Sequence, residues 1–187
     1  MVRYMALRII SVLNRTVQQQ PPKKTIMITG DSNTRGLAGM IENKDIDVSG
    51  TVRPGVDIRR LEESIENDIT PQTDMAFVNV GINNINCDRE SNEEDVKYLM
   101  KKVNDQFPNC TFFFLAVPPS RNPEDQEAIT HLNDTMKEKA GQFNNTQFLD
   151  PRLRYSDMKP RGVHLTARGK DKIAQCITNC TKNNSSL

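Results

Sequence analysis

Three short runs, "TIMIT" (25–29), "MAFVNV" (75–80) and "TFFFLAV" (111–117), are too continuously apolar to leave one face of a strand in water. A strand buried on both faces belongs to a sheet covered on both sides, and such sheets are parallel far more often than antiparallel. "TQFL" (146–149) reads as a fourth strand and "IDVSGTV" (46–52) as a weaker fifth. Between the strands, 34–43, 57–67, 92–106, 124–141 and 166–179 carry helical spacing; in 57–67, Ile58, Leu61 and Ile65 fall on one face. Strand–helix alternation repeated in this way predicts an α/β fold with about five parallel strands and helices on both faces.

A chain of 187 residues suffices for one well-buried core. No internal repeat or second domain is legible, and the domain is expected over 23–180. The segment 1–22 has Arg3, Arg8 and Arg15 but no acid, and its end, "QQQPP", reads as a linker. "MALRIISVL" is interrupted by Arg8 and no small-residue cleavage site follows, so an intracellular location is the expectation. Residues 181–187 read as a frayed tail. A net charge of +1 gives no signal for nucleic acid, and no apolar run approaches the length of a membrane span. Cys87, Cys110, Cys176 and Cys180 are too irregularly spaced for a zinc site. Oligomeric state is not legible.

In an open parallel sheet, ligands bind outside the carboxyl ends of the strands. Four stretches fall there. Gly30-Asp31-Ser32 follows the first strand; Ser32 is either a nucleophile in a tight turn or simply the cap of the next helix. Gly55 in "RPGVDI" could offer a backbone amide, or be a plain turn glycine. Asn83 in "VGINNI" could aim an amide group into the crevice. His164 in "GVHLTARGK" stands just before the last helix, whereas the other histidine, His131, lies mid-helix.

Singly these are weak; together, "GDSNTRGL", "RPGVDI", "VGINNI" and "GVHLTARGK" resemble the SGNH (GDSL-like) hydrolase superfamily in order and spacing over nearly all of 25–178. The wording is most similar to a divergent animal branch, some of whose wider members accompany retrotransposon proteins. The resemblance implies a flavodoxin-like three-layer α/β/α sandwich and an esterase that needs no metal or organic cofactor, acting on a small or medium acyl ester. By matching position it implies Ser32 as nucleophile and His164 as general base. The Ser32 amide, the Gly55 amide and the Asn83 side chain would hold the oxyanion, with Gly50 the competing glycine.

Two positions depart from the family pattern. Its Asp three residues before the His is Arg161 here, and its Gly-x-Asn-Asp reads Gly81-Ile82-Asn83-Asn84. The acid normally fixes the imidazole tautomer and stabilises the imidazolium, and losing it costs about 10⁴-fold in serine proteases. Three ways out are open. A backbone carbonyl could orient His164 in a Ser–His dyad, Asp157 could fold back as third member, or Arg161 could turn outward to bind an anionic part of the substrate. The competing expectation is a catalytically degenerate domain that keeps the fold for binding or assembly. A nucleotide-binding domain is disfavoured because no glycine-rich phosphate loop is present.

Overall fold

The apolar runs become β1 (Lys24–Gly30), β3 (Met75–Asn79), β4 (Thr111–Leu115) and β5 (Thr146–Leu149), and the weaker one becomes β2 (Ile46–Val52). The computed structural model describes residues 23–41, 45–160 and 162–184. All five strands lie parallel in one sheet, in the order β2-β1-β3-β4-β5. β3 is buried throughout, as its unbroken apolar run requires, whereas β2 at the edge has only half-buried and exposed residues.

Three helices join strands, α1 (Ile58–Ser64), α2 (Arg89–Gln106) and α3 (Pro123–Ala140), and a fourth, α4 (Ala167–Asn183), follows β5. Each starts where a short polar side chain accepts from a free first-turn amide: Asp57 from Arg60, Asp88 from Ser91, Asn122 from Glu124 and Thr166 from Gly169. Pro123, which lacks an amide hydrogen, sits in the first turn of α3, where none is needed.

The strand pleat sorts the core into two layers. Ala76, Val78, Phe112 and Phe114 face α1, α2 and α3, meeting Leu61, Leu99 and Leu132 among others. Met75, Phe77, Phe113 and Leu115 face the other way, toward Ile173 and Ile177 of α4 and toward Leu37 and Ile41. On that side Phe77 and Phe113, level in the β3–β4 ladder, stack with ring centroids 4.8 Å apart. The result is the three-layer α/β/α sandwich expected from the sequence.

Two boundaries differ from the sequence reading. The helix expected over 34–43 is not formed over 34–41, where a single 3₁₀ turn (Ser32–Thr34) is followed by another (Ala38–Met40); 42 and 43 lie outside the described residues. Leu37 and Ile41 have helical spacing and are buried, but Gly36 between the turns adopts φ +81°, which no right-handed helix contains. At the other end, α4, expected to end at 179, runs on to Asn183 and buries Thr181. The basic segment 1–22 and residues 185–187 lie outside the described residues, as does Arg161. Among the described residues no helix is long and apolar enough to cross a membrane.

Candidate active site

The strand order places β1 between β2 and β3, so chains leaving β1 and β3 diverge around a crevice at their carboxyl ends. β1 stops abruptly at Gly30. Its φ is +144°, and a Cβ built there would lie 1.9 Å from the Asn79 carbonyl oxygen of β3, so only glycine fits. Asp31 N–H then bonds that same carbonyl at 2.9 Å, and the chain turns sharply through Ser32–Thr34.

Ser32 does not cap this turn. The capping oxygen belongs to Asp31, whose Oδ1 accepts from Asn33 N at 2.7 Å, and Thr34 Oγ1 donates back to the Asp31 carbonyl at 2.7 Å. Both neighbours being so engaged, the Ser32 hydroxyl is left to face outward. Its Oγ lies 3.4 Å from Nδ1 of His164, across 132 residues of chain. For that nitrogen to accept, the neutral imidazole must carry its hydrogen on Nε2. Ser32 is partly exposed and His164 exposed, so the pair is open to a solute.

His164 reaches this place through backbone bonds. Lys159 N–H donates to the His164 carbonyl at 2.8 Å, Thr166 N–H to the Asp157 carbonyl at 2.8 Å, and Met158 and Leu165 form an isolated antiparallel bridge. Asn33, buried beside Ser32, closes the arrangement: its Nδ2 donates to the Val163 carbonyl and its Oδ1 accepts from Leu165 N–H, both at 3.1 Å.

Asp157 is not brought to the imidazole. Its carboxylate is fully buried and accepts from Lys172 Nζ at 2.6 Å and Arg154 N at 2.8 Å, with Arg168 Nε 3.3 Å away. The Lys172 ammonium holds its carboxyl below the usual range. It ties the loop before α4 to that helix, and among the described residues no carboxylate is hydrogen-bonded to the His164 ring.

The other two loops are linked to β1 and to each other. Arg53 N–H bonds the Gly30 carbonyl at 2.8 Å, opening the turn that carries Gly55 with φ +76°. Asn83 Nδ2 donates to the Val56 carbonyl at 2.8 Å, which uses one of its two amide hydrogens and leaves the other. Gly50, the competing glycine, sits inside β2 level with Ile28, not in the turn that follows the strand. Asn84, which stands where the resembled pattern has an acid, is bonded at both its amide oxygen and its amide nitrogen. Its Oδ1 accepts from Ile58 N at 3.0 Å and its Nδ2 donates to Asn92 Oδ1 at 3.0 Å, a donation no carboxylate could make.

Sequence reading passes over three further groups. Arg53 makes a two-pronged pair with Asp68 (2.5 and 2.7 Å), to which Thr29 Oγ1 donates at 2.6 Å, bracing the Gly55 turn against β1. Asp31 is 1% exposed and its Oδ2 has no partner, so burial pushes its carboxyl up to about 6. Asn33 is the third. The partners of Arg53 and Asn33 are remote in sequence, and the only local hint is that three polar residues follow an apolar strand.

No cluster of three or more His, Cys, Asp or Glu among the described residues is arranged to hold a metal. Burial pushes the Cys110 thiol up to about 12 and Cys180 to about 11, far from the reactive thiolate range.

No family model and no curated protein matches the sequence. Solved structures do match. A lipase/acylhydrolase from Enterococcus faecalis superposes with a TM-score of 0.71 at 16% identity, over 86% of this chain and 96% of its own. A family 3 carbohydrate esterase from Clostridium thermocellum gives 0.67 at 19% identity, over 84% and 94%. A protein named as a GDSL-like lipase from Parabacteroides merdae gives 0.69 at 16% identity, over 86% and 97%. At these identities the likeness is one of fold.

Proposed function

We propose that the chain is a serine ester hydrolase working with a Ser32–His164 dyad. The observation that carries this reading is the approach of Ser32 Oγ to His164 Nδ1 at the carboxyl edge of the sheet, with the capping duty of that turn given to Asp31 instead. The names of the neighbouring structures, a lipase/acylhydrolase and a carbohydrate esterase, point to the same reaction class. In this reading Ser32 Oγ bonds to the ester carbonyl carbon as its proton passes to Nδ1. The negative carbonyl oxygen is held by the amides of Ser32 and Gly55 and by the free hydrogen of Asn83 Nδ2. The imidazolium returns its proton to the leaving alcohol, and water repeats the cycle to free the acid.

The Nδ1 geometry eases the loss of the acid in one respect. In the usual triad the carboxylate holds the hydrogen on one ring nitrogen so that the other can act. Here the idle nitrogen faces away from Ser32, where water can satisfy its hydrogen. Stabilisation of the imidazolium is still missing, so turnover is expected on the order of 10³ to 10⁴-fold below that of a complete triad. The substrate in this reading is a small or medium acyl ester, with Arg161 proposed to meet an anionic part of it.

The same missing acid favours a second reading, a degenerate domain retained for binding. A fluorophosphonate probe separates them. Covalent labelling mapped to Ser32, absent from Ser32→Ala and strongly reduced in His164→Ala, supports the hydrolase. An unlabelled Ser32 in folded protein supports the binding domain.

A further inference from the structure

Asn33 makes two bonds that its position beside Ser32 does not require. Its carboxamide grips the Val163 carbonyl and the Leu165 amide, the peptide groups on either side of His164. The residue is 1% exposed, and its own amide is fixed by Asp31 Oδ1. A single rigid carboxamide therefore sets the distance between two chain segments 130 residues apart, one bearing the hydroxyl and the other the imidazole. Only a group that both donates and accepts can hold a carbonyl and an N–H at once, which excludes a carboxylate or an apolar side chain here.

We propose that Asn33 is the positioning residue of the dyad, and that it replaces by a backbone clamp the orienting half of what the absent acid would do. The inference rests on the hydrolase reading above and extends it to the device that lets His164 work without a carboxylate. The clamp fixes where the imidazole stands but adds no charge. It thus accounts for a placed base while leaving the reaction slow. Misplacement of a reacting group by about 1 Å costs on the order of 10²-fold in rate, which sets the size of the effect.

The test compares wild type, Asn33→Ala and Asn33→Asp by fluorophosphonate labelling rate and by kcat and KM for p-nitrophenyl acetate, each below its melting temperature. Asn145→Ala serves as control. Asn145 is another buried asparagine that bonds two carbonyls (Phe107 and Cys110), far from the dyad. The clamp predicts that Asn33→Ala loses about 10²-fold in labelling rate and kcat with KM within about twofold. Asn33→Asp, which can still accept from Leu165 N–H, falls between. Asn145→Ala melts lower yet labels at the wild-type rate. A folded Asn33→Ala that labels and turns over like wild type overturns the clamp alone; if that variant does not fold, Asn33→Asp at the wild-type rate overturns it equally. An unlabelled wild type overturns the hydrolase reading, and the clamp with it.

Discussion

Asp31 shows how much a single residue beside Ser32 costs this fold. Its carboxyl titrates near 6 because burial disfavours the charged form more than the Asn33 amide favours it. A folded-state value above the unfolded one, near 3.8, stabilises the protein while the group stays protonated, fully below about pH 4. That contribution, about 3 kcal/mol in full, disappears as pH rises through 6. Urea unfolding near pH 5 and near pH 7.5 should therefore differ by about 1.4 kcal/mol in favour of the lower pH from this group, and Asp31→Asn should remove that difference. Identical slopes for wild type and variant would show that the group is not buried as described. At this scale Ser32, Gly55 and Asn83 could be singled out as candidates because each closely follows a strand, and His164 because it stands just before the last helix. Asn33 was not, since its partners lie at 163 and 165 and no spacing rule connects them.

Among the elements, the loop after β2 depends on a charge pair as well as on the packing of Val56. Asp68 is buried and is held by Arg53 and Thr29, so removing Arg53 leaves a carboxylate in the interior with one hydroxyl for company. Arg53→Met is expected to destabilise by about 3 kcal/mol, read as a lowered urea midpoint. In the hydrolase reading it also slows the reaction of Ser32 at temperatures where the fold is intact, because the Gly55 amide loses its brace. Unchanged stability would remove the pair from the account. The elements themselves were read well where apolar periodicity and a polar cap agree, as in α2 and α3. The failure over 34–41 has a definite cause. Leu37 and Ile41 are buried against the sheet at helical spacing, but Gly36 and Gly39 leave the backbone to follow 3₁₀ turns instead.

For the whole molecule, the unbroken apolar strands already implied a sheet covered on both faces, and the two core layers are that implication realised. What patterning does not carry is strand order. The placement of β1 between β2 and β3 comes from long-range pairing, and it decides which loops share the crevice. The layer under α4 depends on the Phe77–Phe113 stack at the sheet centre. Phe77→Ala should cost about 3–5 kcal/mol, measured by denaturant unfolding, and a loss below about 1 kcal/mol would mean that the layer repacks freely. The central claim is that this scaffold carries a working dyad. Its most direct test is hydrolysis of p-nitrophenyl acetate by purified wild type beside Ser32→Ala and His164→Ala. The account predicts slow turnover in the wild type that falls to the uncatalysed background in both variants; equal rates in all three folded proteins would contradict it.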